Sequence, residues 1–142
     1  MSALAWGIKA SLLGYVRGMA DGSVTLAGGA EELDGGFRFP AADAAGQTGA
    51  DAPLAFRGSV TLTGHGGMLR VTIADPALVD TGDGWVLEIA DPDDPGIRLP
   101  FATLAGFDGE RATGAALTED GADLFFGPYE RGTAIDDPRV VA

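Results

Sequence analysis

The chain has no cysteine among its 142 residues. That excludes a disulfide staple and a thiolate metal site, and it removes any redox clue to the compartment. Positive charge is scarce: nine Lys and Arg stand against 21 Asp and Glu, for a formal net charge of -12. Lys9 is the only lysine and the arginines are spread singly. No basic stripe exists for nucleic acid or an anionic membrane surface. No apolar run reaches the roughly 18–20 residues needed to span a bilayer, so no membrane insertion is expected. Near the start, Lys9 is the only cation ahead of a short apolar segment broken by Ser11 and Gly14, which predicts no signal peptide. The expectation is a cytoplasmic protein for the chain as it stands, and an extracytoplasmic one if it is a mature or excised domain. The single histidine, His65, has no serine in a strand-to-helix elbow to serve, which leaves triad chemistry weakly supported. Glycine-rich stretches do not open helices with P-loop or dinucleotide spacing. Asp91, Asp93 and Asp94 lack the glycine and distal Glu of a calcium loop.

What is present describes one globular domain over residues 1–142. Hydrophobic residues make up 46% and charged residues 21%, enough apolar surface to fill a core. The 23 glycines and 8 prolines fall between short apolar runs and predict many turns. Leu4, Ile8, Leu12 and Tyr15 step by three and four, which predicts a helix over Met1–Gly18 with Ser2 as its cap. Alternation predicts strands at Ser23–Ala27, Phe37–Phe39, Leu54–Thr63, Met68–Ala74, Gly84–Ala90 and Ile97–Leu104, with Pro100 at an edge or bulge. Ala112–Leu117 reads as a weak strand and Val140-Val141 as a last one. Glu31, Glu32 and Asp34 read as an exposed acidic stretch, Pro40–Pro53 as a solvated loop, and Asp136-Asp137 as solvated. Thr118 ahead of Glu119 and Asp120 predicts a short helix near residues 118–126. The fold class is β-rich α+β: antiparallel, sandwich-like β-sheets with an N-terminal helix and that short second helix.

Two features carry chemistry. Gly64-His65-Gly66-Gly67 forms the tip of a predicted hairpin, and its glycines clear side-chain bulk from both sides of an imidazole that can donate and accept at once. A plain hairpin turn accounts for it equally well. Tyr15 closes the first helix, with Gly14 beside it and Ser11 one turn earlier. Alone, Tyr15 and Tyr129 read as residues at the core edge. Together the two features suggest that the helix delivers the Tyr15 phenol into an apolar pocket closed by the His65 loop.

A resemblance sharpens this. Leu4-Ala5-Trp6-Gly7-Ile8-Lys9-Ala10-Ser11 through Tyr15, then Gly29-Ala30, Phe37-Arg38-Phe39, Phe56-Arg57-Gly58-Ser59-Val60, Gly64-His65-Gly66-Gly67, Leu69, Pro76, Leu117-Thr118, Gly121, Phe125, Tyr129, Gly132 and Asp137-Pro138 run in one order. In that order they resemble the HtaA-type haem-binding domain of actinobacterial haem uptake. The resemblance implies ferric haem b as cofactor, with Tyr15 as the iron ligand and His65 hydrogen-bonded to its oxygen from between Gly64 and Gly66. It also implies that Ser11 lies near the haem and that Tyr129 lines the pocket. Pro128 stands where the family has a phenylalanine. Ferric iron favours an anionic phenolate oxygen. Protonating His65 or reducing the iron would then change the bond and offer a route to release. The propionates need cations, and Arg17, Arg57 and Arg70 all lie near the motifs. The implied partners are haem and another haem-transfer protein. The alternatives are a haem-dependent or haem-modifying, peroxidase-like enzyme and a carrier of another apolar ligand.

Overall fold

A computed structural model describes residues 3–33, 35–42, 54–94, 96–125 and 129–141. In chain order the strands and helices are β1 (Ala3–Trp6), α1 (Ala10–Gly18), β2 (Ser23–Ala27), β3 (Glu31–Leu33), β4 (Gly36–Pro40), β5 (Leu54–Ala55), β6 (Ser59–Gly64) and β7 (Leu69–Ala74). After them come β8 (Ala77–Asp80), β9 (Trp85–Ala90), β10 (Arg98–Leu104), β11 (Gly106–Phe107), β12 (Ala112–Thr113), β13 (Ala116–Leu117), α2 (Glu119–Asp123) and β14 (Arg139–Val141). The sheets are β14-β1-β4-β3, β13-β10-β9-β8-β5, β2-β6-β7 and the pair β11-β12. Every pairing is antiparallel. The β-rich α+β class therefore holds.

The N-terminal helix is shorter than its periodicity predicts. Ala3–Trp6 is a strand, held between β14 and β4 and buried at all four positions. A short apolar run buried on both faces carries no alternation, so its sequence does not separate strand from helix. Ile8 then reverses the chain at φ 60, a rare conformation for a β-branched residue. The turn is held by Asp136: its N–H donates to Ile8 O (2.9 Å) and its C=O accepts from Trp6 Nε1 (2.9 Å). Its carboxylate also accepts from Ala10 N (3.2 Å). Lys9 sits at the cap position without a side-chain cap bond, so Asp136, far away in sequence, serves the helix start instead. Ser2, the expected cap, lies outside the described residues. Asp137 likewise accepts from Ala115 N (2.8 Å), so the Asp-Asp pair is structural rather than merely solvated.

Other boundaries shift where glycine turns the chain. The expected strand Leu54–Thr63 splits into β5 and β6 around Gly58, whose φ is 115. A Cβ there would lie 2.7 Å from Ala30 N, so only glycine fits. Ala112–Leu117 splits into β12 and β13, and within the acidic stretch Glu31–Leu33 is exposed, as expected, and forms a strand. Strands β8 and β11 were not foreseen. The expected loop over Pro40–Pro53 falls mostly outside the described residues, which stop at Ala42 and resume at Leu54.

The second helix follows the sequence closely at its start. Thr118 Oγ1 accepts from Gly121 N (2.9 Å) while its hydroxyl reaches Pro100 O (2.5 Å), tying α2 to β10. Thr118→Ala is expected to cost about 1–2 kcal/mol in thermal or denaturant unfolding, with Thr118→Ser close to the wild type, because serine keeps both bonds. One contiguous core joins the sheets. Trp6 on β1 meets Phe101 on β10 edge-on, with centroids 5.7 Å apart.

Candidate functional site

Helix α1 buries Leu12, Leu13 and Val16 and turns Ser11, Gly14, Tyr15 and Gly18 outward. The spacing 11, 14, 15, 18 makes these one outer face. Tyr15 is 54% exposed, so it does not enter an apolar pocket formed by the described residues. Leu12 and Tyr15 therefore do not share a face as a helix beginning at Met1 required. With the strand break at Ile8, the buried face is set by Leu12, Leu13 and Val16.

The other half of the site is the β6–β7 hairpin, which ends in a 3-10 turn over His65–Gly67. Its register, Thr63 opposite Arg70 and Gly64 opposite Leu69, brings the tip to the end of α1. There Tyr15 Oη lies 2.5 Å from His65 Nε2, with the rings tilted at 47° and their centroids 5.5 Å apart. Gly64 and Gly66 frame the imidazole. Built Cβ atoms on Gly14, Gly18, Gly66 and Gly67 would meet nothing within 4 Å. The tyrosine–histidine pair therefore stands in open space, flanked by backbone instead of bulky side chains. Met68, next in the chain, is 82% exposed.

Two residues that the sequence pattern does not single out complete the junction. Asp21 Oδ2 accepts from Gly66 N (2.6 Å). That bond holds the Asp21 carboxyl below its ordinary 3.8. A lowered carboxyl contributes its bond fully above that ordinary value and loses it as the pH falls further. Met19 packs its thioether end over Gly64, where a Cβ would come within 2.5 Å of Met19 Cε. An Asp-Gly just past a helix reads as an ordinary turn, so only tertiary contact reveals these roles.

Of the other expected site residues, Ser11 shares the open face one turn before Tyr15. Tyr129 lies instead at the opposite end of α1. Lys9 Nζ sits 5.5 Å above its ring and donates to Ala134 O (3.2 Å), and Phe125 packs edge-on at 5.1 Å. From Lys9 to Tyr15 is roughly 9 Å of helix axis. Burial pushes the Tyr129 phenol above its ordinary 10.0. Pro128 lies outside the described residues. Among the arginines near the motifs, Arg17 pairs with Glu32, Arg57 packs beside Gly29, and Arg70 sits on β7 opposite Thr63.

Chemically, the arrangement offers one exposed phenol oxygen with an imidazole nitrogen already on it. A phenol oxygen is a hard donor and suits a hard, oxygen-seeking cation. Among the described residues no cluster of three or more His, Asp or Glu side chains could hold a bare metal ion.

The fold has close relatives of known structure. The C-terminal domain of HtaA from Corynebacterium glutamicum matches with 26% identity and a TM-score of 0.70, over 98% of this chain and 93% of that one. The N-terminal domain of the same protein matches with 27% identity and a TM-score of 0.73, over 98% and 94%. The haem-binding protein HtaB from Corynebacterium glutamicum shares the fold at 17% identity, with a TM-score of 0.72 over 99% and 98%. No curated protein sequence matches the chain. The HtaA family model (Htaa) matches residues 1–140, and the chain therefore belongs to the HtaA family.

Proposed function

We propose that the protein binds ferric haem reversibly, with the Tyr15 oxygen as the axial ligand, and carries haem in transport, transfer or storage. The observation that carries this reading is the 2.5 Å contact between Tyr15 Oη and His65 Nε2 on an otherwise open helix face. Family membership supports it, and so does the likeness to HtaB, itself a haem-binding protein. Of the two tyrosines, Tyr15 is the better donor. Its oxygen is exposed and has a partner, whereas burial disfavours the anion of Tyr129.

A bound ferric haem supplies a Lewis-acidic iron that favours an anionic oxygen ligand. The chain's own residues do the rest. On binding, the Tyr15 phenolic proton would pass to Nε2 of His65, 2.5 Å away, leaving the oxygen as a phenolate. With Nε2 protonated, His65 donates to the resulting phenolate, fixes its orientation and draws off part of its electron density. The same imidazole stands ready to return a proton to the oxygen, which weakens the ligand and opens a path to release. Ser11, Gly14 and Gly18 leave the helix face low enough for a planar group to lie against it. At the far end, Lys9 and Tyr129 supply a cation and an aromatic ring.

Titration with hemin is the test. A Soret band with the charge-transfer features of a high-spin tyrosinate complex is expected. His65→Ala should keep the complex but shift those features and weaken binding about 10–100-fold, the usual cost of losing a partner that orients a metal ligand. The change can be followed by haem loss to excess apomyoglobin. Peroxide turnover above that of free hemin would overturn the carrier reading in favour of an enzyme.

A further inference from the structure

We infer that Asp21 is a positioning residue for this site, holding the hairpin tip in the conformation that places His65 on the Tyr15 oxygen. The inference rests on the haem reading for its purpose and on the apo geometry for its substance.

The tip is a conformation that needs holding. His65 has φ 52 and Gly66 φ 64, two successive left-handed residues. For a residue with a side chain, such as His65, that region is strained, because the Cβ crowds the following carbonyl oxygen. Within the loop, Met68 N donates to His65 O (3.1 Å). That bond closes the turn but does not fix where the imidazole points relative to α1. Contacts from the helix end do so. Tyr15 meets His65, the Met19 side chain lies over Gly64, and Asp21 takes the Gly66 N–H. These successive contacts bind residues 15–21 to residues 64–66 on both sides of the imidazole.

Asp21 is itself well anchored. Met19 N bonds Val16 O (3.2 Å) and Gly22 N bonds Met19 O (3.2 Å), so the chain leaves α1 in two tight turns. A Cβ on Gly22 would lie 1.7 Å from Val16 O, which leaves no room to reopen them for a bulkier residue. The carboxylate therefore reaches the tip from a fixed base. Its 2.6 Å bond is short for an N–H donor, as a carboxylate acceptor favours, and the same bond lowers the carboxyl's pKa.

The design explains the glycines on either side of His65 without appeal to chance. Gly64 makes room for Met19. Gly66 supplies an unhindered left-handed N–H for Asp21.

The experiment compares Asp21→Ala and Asp21→Asn, each with and without His65→Ala. In the apo protein, Asp21→Ala should speed hydrogen exchange of the Gly66 amide about ten-fold or more and abolish the NMR contact between the Tyr15 and His65 rings. Asp21→Asn should retain both, since its amide oxygen still accepts. With hemin, Asp21→Ala should move the tyrosinate charge-transfer band toward its position in His65→Ala and raise the haem loss rate about ten-fold. The double variant should lose no more than His65→Ala alone, because both changes remove one function. An Asp21→Ala protein that keeps the ring contact and the wild-type spectrum overturns the inference. So do losses that simply add to those of His65→Ala. If the wild type takes up no haem, the function proposed above fails, and the NMR arm still decides the role of Asp21.

Discussion

Tyr15→Phe is expected to abolish the tyrosinate spectrum of the hemin complex and to weaken haem binding more than a hundred-fold, beyond the usual loss for an orienting partner alone. The fold should be almost untouched. Tyr15 is 54% exposed and its oxygen has a single named partner, His65. An exposed hydrogen bond contributes no more than about 1 kcal/mol net, so circular dichroism and the melting temperature should stay near the wild type. The phenyl ring also keeps whatever packing the tyrosine ring makes. The experiment therefore separates ligand chemistry from folding, which a Tyr15→Ala change does less cleanly. Tyr129→Phe is the control. That phenol is half-buried against Phe125, its ionisation is disfavoured, and it sits at the other end of α1 beside Lys9. Removing its hydroxyl should leave the charge-transfer features in place. An unchanged spectrum in Tyr15→Phe, or loss of the features in Tyr129→Phe, would transfer the ligand role from one tyrosine to the other.

The two side chains that meet in the site were both legible in the sequence, but the way they meet was not. His65 at a hairpin tip follows from two alternating runs around a glycine cluster, and the observed register agrees with it. Tyr15 on a helix also holds. Its orientation differs from the periodicity because the stretch before Gly7 is a strand, not part of the same helix. Leu4 and Trp6 are buried in a strand between β14 and β4, and β14 is the far end of the chain. Local periodicity carries no information about a partner more than a hundred residues away. The same holds for Asp136, whose bonds to Ile8 and Ala10 start the helix, and for Asp21, whose bond to Gly66 depends on where the hairpin lands. By contrast the Thr118 cap was readable, because its partner lies three residues on. Local rules found what local contacts make. The site itself is made by two segments fifty residues apart, which pattern only suggests as a pair and the family resemblance joins by a specific hydrogen bond.

Phe101→Ala is expected to be the most destabilising of the substitutions named here, by about 3–5 kcal/mol. Pro100 pairs with Glu88 and Ala102 with Leu87, so Phe101 is the extra residue of a β-bulge in β10. The bulge places consecutive residues, Phe101 and Ala102, on the buried side, which straight alternation cannot do. It also fits a proline that has no N–H to give. Phe101 is fully buried and meets Trp6 at 5.7 Å and Phe125 at 6.1 Å. Its carbonyl accepts from Thr118 N (3.0 Å), and a Cβ on Gly121 would lie 2.1 Å from the same oxygen. One residue thus joins β10, β1 and the turn of α2. Truncating it leaves a cavity lined by rings that cannot collapse independently. Trp6 loses its edge-on neighbour while its Nε1 stays bonded to Asp136. At about 2–4 °C per kcal/mol for a chain of this size, the melting temperature should fall by on the order of 10 °C. Haem affinity measured well below that temperature should change only a few-fold, because Tyr15 and His65 lie on the outer face of α1 and the hairpin tip. Equal losses of stability and affinity in Phe101→Ala would mean instead that the core sets the site's geometry directly. Opposite responses of Tyr15→Phe and Phe101→Ala would place the tyrosine–histidine pair on a scaffold whose stability is supplied elsewhere.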